Sequence, residues 1–146
     1  MKQQFNKKIL VGALLCILAL MLCAFASADR EIETEGSCGP SAYYKLYSDG
    51  YMIISGSGPM DDYNELPYHG YIYDIKVVHI TGISHIRSGA FRGARNLIEV
   101  KISDSVKSIG YCAFYNCFSL KSITIPDGVT EIGSSAFDGR EDEIRN

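Results

Sequence analysis

The 146-residue chain carries 14 basic and 17 acidic side chains, a formal net charge of −3, with 47% hydrophobic residues, 10 tyrosines and no tryptophan. It is sized for one small domain, long enough to build a core without margin to spare. A balance this slightly acidic argues against a dedicated nucleic-acid binder.

Residues 1–28 read as a secretory signal peptide. Lys2, Lys7 and Lys8 precede an apolar run from Ile9 to Phe25, which ends in the small residues Ala26-Ser27-Ala28. Cleavage is expected after Ala28; an uncleaved anchor is the competitor, because the run is near the lower limit for spanning a bilayer. No second apolar stretch follows, so a secreted or cell-surface product is expected, touching the membrane only through the signal peptide before cleavage. Removing the three lysines takes the formal charge from −3 to −6. Residues 29–75 hold nine acids against Arg30 and Lys45, whereas 76–140 hold eight bases against five acids, a polarity able to orient a partner.

Residues 29–37 read as an acidic linker and 38–75 as a hairpin cap. In "YKLYSDGYMII" two alternating runs flank Ser48-Asp49-Gly50. A three-residue loop with Gly50 left-handed places Tyr44, Leu46, Met52 and Ile54 on one face, whereas a two-residue loop scatters them. A cap is needed because a bare coil end exposes strand edges and apolar surface. Eight of the ten tyrosines fall between Tyr43 and Tyr73. Most are expected to pack in the cap; Tyr63, Tyr68, Tyr71 and Tyr73 are the candidates for contacts with proteins or sugars.

From 76 to 140 the chain repeats. Ala90-Phe91, Ala113-Phe114 and Ala136-Phe137 follow one another at 23 residues, and superposing them aligns Ile86, Ile109 and Ile132, Leu97 with Leu120, Val100 with Ile123, Ile102 with Ile125, and Val106 with Val129. Matched columns are apolar and the residues between them mostly polar, the signature of a core. Val100-Lys101-Ile102 and Ile123-Thr124-Ile125 are β-branched and alternate, which predicts short parallel strands stacked about 4.8 Å apart. Phe91, Phe114 and Phe137 then form a ladder of rings, supported by Leu97, Leu120, Ile102 and Ile125. Val78 and Ile80 join the strand columns if the corner Thr81-Gly82 lacks one residue, a change turns tolerate. The period and the segments "LIEVKI" and "LKSITI" match the leucine-rich repeat pattern. Phe137 starts a third coil whose strand is due near 143–148, where the chain offers Glu143 and Asn146; 141–146 read as a polar tail, a cap or the remnant of a longer frame.

The runs "ISHIRSGAF", "SVKSIGYCAFYNCFSLKSITIPDGVTEIGSSAF" and "CGPSAYYKLYSDGYMIISGSGPMDDY" resemble the BspA-like leucine-rich repeat proteins, exported or surface-displayed proteins of bacteria and some protists. The resemblance spans about Cys38 to Gly139 and implies a β-rich α/β solenoid with short parallel strands and an N-terminal hairpin segment, built to contact other proteins. Adhesion to an extracellular or host-matrix protein is the implied role, with a glycan as a further candidate partner.

No catalytic or cofactor motif stands out. "GSGPMD" lacks the last glycine and the helix of a dinucleotide fingerprint; His69, His79 and His85 are isolated; Asp61, Asp62, Glu65 and His69 lack the rhythm of a calcium loop. Cys38, Cys112 and Cys117 are an odd set after cleavage, best read as small apolar fillers. The expectation is therefore a non-enzymatic interaction module without metal or cofactor, binding through Lys101, Ser103, Lys121 and Thr124 or through the tyrosine-rich cap. A fragment of a larger surface repeat protein and a carbohydrate-binding accessory domain are the alternatives.

Overall fold

The computed structural model describes residues 30–62 and 65–139. The chain divides into two compact units, Met1–Arg30 and Glu31–Asn146; of the first only Arg30 is described, and the architecture that follows belongs to the second. The expected signal peptide, Tyr63, the tail 141–146 and the strand due near 143–148 lie outside the described residues.

A β-solenoid is built from two sheets. The first five-stranded sheet runs in the order β1 (Ile32–Ser37), β2 (Ala42–Tyr47), β3 (Tyr51–Gly56), β5 (Val77–Ile80), β7 (Glu99–Ile102). The second runs β4 (Gly58–Pro59), β6 (Ile83–Ile86), β8 (Ser108–Ile109), β9 (Glu131–Ile132), all parallel. β5 and β7 are parallel with Val78 opposite Val100 and Ile80 opposite Ile102, the column alignment that requires the short corner. Gly82 makes that corner: its φ of +77° is left-handed, and a Cβ there would collide with the Gly56 carbonyl of the strand stacked beside it.

β2 and β3 pair antiparallel with Leu46 opposite Met52 and Tyr44 opposite Ile54, and all four are buried. Gly50, at φ +88°, closes their loop with its N–H on the Tyr47 carbonyl. β3 then lies parallel to β5, so the edge of the first repeat strand is covered by backbone of the same chain.

Three expectations are corrected. Residues 32–37 are not a linker: they form β1, which pairs antiparallel with β2 and sets Glu35 opposite Lys45. No α-helix occurs among the described residues, only a 3₁₀ turn at His69–Tyr71, so the α/β label gives way to an all-β solenoid. The reason lies in the return arcs. Gly89, Cys112 and Ser135 have φ of +65°, +52° and +55°, and Gly93, Asn116 and Gly139 have +77°, +58° and +82°. Two left-handed residues per arc turn alternate N–H groups away from the chain axis and onto the next coil: Gly89, Phe91 and Gly93 donate to the carbonyls of Tyr111, Ala113 and Tyr115 at 2.7–2.9 Å, and Cys112, Phe114 and Asn116 donate to Ser134, Ala136 and Asp138. An α-helical ladder along the arc gives way to these bonds between coils, while the residues between them keep i→i−3 turn bonds, Ala90 to Arg87 and Arg92 to Gly89.

Finally, Ile123-Thr124-Ile125 is not a strand. In the preceding coils the residue after the strand donates across to its neighbour, Thr81 to Ile54 and Ser103 to Ile80, at 2.9 and 3.0 Å. Pro126 occupies that column and has no N–H, so the closing bond is lost. Ile123 and Ile125 still pack, half-buried, on the core.

The core is one cluster along the solenoid axis, and among the described residues it contains no buried polar or charged side chain. Its spine is a stack of rings. Phe91 and Phe114 lie 5.3 Å apart at 12°, and Phe114 and Phe137 5.5 Å apart at 4°. Phe91, Phe114, Leu97 and Leu120 are fully buried; Phe137, Ile102 and Ile125 are partly covered. Each stacked pair adds about 0.5–1.5 kcal/mol to plain burial. The three thiols are unbridged and buried. Burial, aided by the charge of Asp61, pushes Cys38 up to about 12, and burial does the same to Cys117, whose Sγ lies 3.2 Å from the Phe91 carbonyl.

Phe114→Ala is expected to cost about 3–5 kcal/mol in chemical denaturation, since the cavity opens in the middle of the stack. Gly93→Ala is expected to cost about 1–2 kcal/mol from backbone strain alone, because an added Cβ meets no atom within 4 Å; Gly70→Ala, equally open but with ordinary φ, should leave stability unchanged or raised. Equal losses at both glycines would contradict the left-handed arc. For pH, the folded thiols stay neutral to about 12 while unfolded thiols ionise near 9.0, so their contribution is complete below 9.0 and fades as pH rises towards 12. A melting temperature that does not fall between about pH 8 and about pH 10.5 would contradict it.

Candidate functional site

Alternation along the five-stranded sheet sends one set of side chains into the core and the other outward. Ala42, Tyr44 and Leu46 are buried on β2 while Tyr43, Lys45 and Tyr47 face out; on β3, Met52 and Ile54 are buried while Tyr51 and Ile53 face out. Strand register turns these into rows. Lys45, Ile53, His79 and Lys101 form one row, and Tyr51, Val77 and Glu99 another.

The centre of this face is aromatic and apolar. Tyr51 and His79 meet edge to face at 4.9 Å between centroids, with the Tyr51 hydroxyl 2.6 Å from Nδ1 of His79, and Tyr47 lies 6.1 Å from Tyr51. Ile53 and Val77 fill the spaces beside them, half-exposed. A shallow groove of about 340 Å³ runs from Tyr51, Ile53 and His79 to Lys101 and Ser103. Ion pairs stand at both margins: Lys45 with Glu35 at 2.8 Å, and Lys101 with Glu99 at 3.0 Å. The hydrogen bond to Glu35, and then its charge, raise the Lys45 pKa, so this lysine stays charged.

The residues singled out from sequence are dispersed. Lys101 is exposed at the edge of the aromatic face, and Ser103 is half-buried beside it, 2.6 Å from the Ser105 hydroxyl. Thr124 lies across a second groove, of about 450 Å³, between β7 and Ser122–Pro126, while Lys121 is exposed outside the grooves described. Tyr71 packs against the core, and Tyr73 is 56% exposed, under the Arg95 guanidinium and beside a cleft that Tyr47 also lines. Tyr68 is corrected outright. It is fully buried, its ring stacks 5.9 Å from Phe91, and its hydroxyl lies 3.3 Å from the Ala90 carbonyl, so no partner can reach it. Burial drives its pKa upward. The signal was in the spacing: Tyr68 precedes Phe91 by the repeat period of 23 and is the first ring of the stack.

Of the outward set, Tyr47 and Tyr51 belong to the tyrosine-rich cap, whereas Ile53, Val77 and His79 are outward members of β3 and β5 that the inward apolar alternation does not single out. Other polar clusters offer less. Nδ1 of His85 lies 2.7 Å from the Ser108 hydroxyl, one coil apart, a bond that ties β6 to β8. Among the described residues no three His, Cys, Asp or Glu side chains converge as a metal site, Asp61, Asp62, Glu65 and His69 included.

Comparison with known proteins agrees with this architecture. The family model described as BspA type leucine rich repeat region (6 copies) matches residues 71–143. A leucine-rich repeat protein of known structure from Eubacterium ventriosum is 29% identical over 68% of this chain and 28% of its own, with a TM-score of 0.63, and shares the fold. A leucine-rich repeat protein from Bacteroides ovatus is 29% identical over 46% of this chain and 23% of its own, TM-score 0.36. A leucine rich cell surface protein from Faecalibacterium prausnitzii is 27% identical over 77% of this chain and 35% of its own, TM-score 0.44. No curated protein matches. The chain thus spans 28% of the length of the Eubacterium structure.

Proposed function

The chain belongs to the BspA-type leucine-rich repeat family, and on that premise we propose that it is an exported, non-enzymatic module that binds an extracellular or host-matrix protein through the outer face of its five-stranded sheet. The observation that carries this reading is the composition of that face. An aromatic and aliphatic centre (Tyr47, Tyr51, Ile53, Val77, His79) sits between two charged pairs, Lys45–Glu35 and Lys101–Glu99. Apolar anchors ringed by charge are how protein-binding surfaces are arranged: the centre supplies desolvated contact area, the rim supplies orientation. Lys101 and Ser103 contribute to the rim, and Thr124 extends it across the adjoining groove. β1, β2 and β3 serve as the cap, closing the first repeat strand and widening the face at once.

Export is read from the amino-terminal segment, whose lysines, apolar run and Ala26-Ser27-Ala28 exit carry the signal pattern.

The test is binding of the purified chain to immobilised extracellular-matrix proteins by biolayer interferometry. Tyr51→Ala with Ile53→Ser is expected to weaken capture at least about tenfold, the loss of one hot-spot cluster, while Lys121→Ala leaves it unchanged. Capture that survives the double substitution in a folded protein, or is absent from the start, would overturn the assignment.

A further inference from the structure

A separate feature lies outside this face. Arg87 and Arg92 lie on the return arc of the first repeat and, with His69, Glu65 and Asn116, surround a cleft of about 580 Å³. Among the described residues neither arginine forms an ion pair. Both guanidinium groups are nevertheless held. Nε of Arg87 donates to the Ser88 carbonyl at 3.2 Å, and Arg92 lies over the Tyr115 ring at 5.5 Å. Both side chains line the cleft.

Internal comparison of the repeats shows that the solenoid does not require these residues. The column of Arg87 holds Gly110 and Gly133 in the next coils, and the column of Arg92 holds Tyr115 and Asp138. The floor differs too. It is bare backbone at Gly89 and Gly93, where an added Cβ finds nothing closer than 3.9 Å, whereas Cys112 and Asn116 occupy those columns in the following coil. Two arginines and an open floor thus coincide in one coil.

We propose that this cleft binds an acidic saccharide, a sugar carrying a carboxylate or a sulfate. Its volume suits one or two sugar rings. Guanidinium forks pair with carboxylate or sulfate oxygens in charge-assisted bonds. The Glu65 carboxylate and the Asn116 amide, beside them, supply the acceptor and donor that ring hydroxyls need. An extended acidic peptide fits less well, because it needs cations repeated along a groove, and here the charge stops after one coil: the Arg92 column continues as Tyr115 and then Asp138.

Calorimetric titration of the full chain with a heparin-derived tetrasaccharide, a uronate tetrasaccharide, a neutral tetrasaccharide and hexaglutamate tests this. At least one acidic saccharide is expected to bind, more weakly at higher salt, and the neutral sugar not at all. Arg92→Gln, at an exposed position, should weaken binding about tenfold, and Arg87→Gln should do the same, each by removing a charge-assisted contact. Both should leave the melting curve intact, and Tyr51→Ala on the other face should leave saccharide affinity unchanged. Absence of binding by both acidic sugars, equal affinity in a folded Arg92→Gln variant, or tighter binding of hexaglutamate than of either sugar would overturn the proposal, the last in favour of an acidic-peptide surface.

Discussion

Coils can stack in parallel only when each presents to its neighbour an inward side chain of matching size and a backbone group of matching polarity. Here both demands meet at the same residues. Phe91 and Phe114 stack on the next ring at 5.3 and 5.5 Å, and their own N–H groups donate at 2.7 Å to the alanine carbonyls of the next coil. Ring spacing and hydrogen-bond spacing are therefore locked to one distance. A change in one ring disturbs the arc that carries it, and the paired left-handed positions of each arc are the geometry that makes this double contact possible.

The amino-terminal segment obeys the same constraint without repeating the motif. Tyr68 takes the ring position and Tyr44 packs against it at 5.1 Å, so the stack is continuous from the hairpin into the repeats. A phenol at the start of the column suits its place, because the hydroxyl reaches the Ala90 carbonyl where a phenylalanine would leave that oxygen unanswered. At the other end the constraint relaxes. Pro126 removes one inter-coil bond, the third copy of the strand does not form, and Ile132 is left 52% exposed on β9.

With the interior fixed by repetition, freedom to differ is confined to the outward columns. The two surfaces given functional readings both depart from the repeat: the sheet face because β3 and β5 carry Tyr51, Ile53 and His79 where β7 carries Glu99 and Lys101, and the arc flank because one coil alone carries Arg87 and Arg92. The charge asymmetry follows the same division. Glu33, Glu35 and Asp49 belong to the hairpin region and the arginines to the repeats, so a partner or ligand meets different potentials on different sides.

By itself the sequence determined the repeat period, the apolar columns, the corner that loses a residue at Gly82 and the loop that pairs Leu46 with Met52. These are readable because they rest on local spacing and on turn chemistry, which act within a few residues. The tertiary structure decided the rest. Which tyrosine is buried depends on what stands 23 residues away in sequence and one coil away in space, so Tyr68 went inside although it looked like its exposed neighbours. β1 was hidden for a related reason: "IETEGS" has no apolar alternation of its own, and it becomes a strand through the edge that β2 offers and the charge pairing of Glu35 with Lys45. The arcs read from sequence as a loop or a brief helical turn, and the choice falls to tertiary structure, since only the next coil supplies the carbonyls that draw their N–H groups outward. Surfaces were least legible of all, because a binding face is assembled from single residues on separate strands, and register, a property of pairing between strands, is what brings Tyr51 to His79.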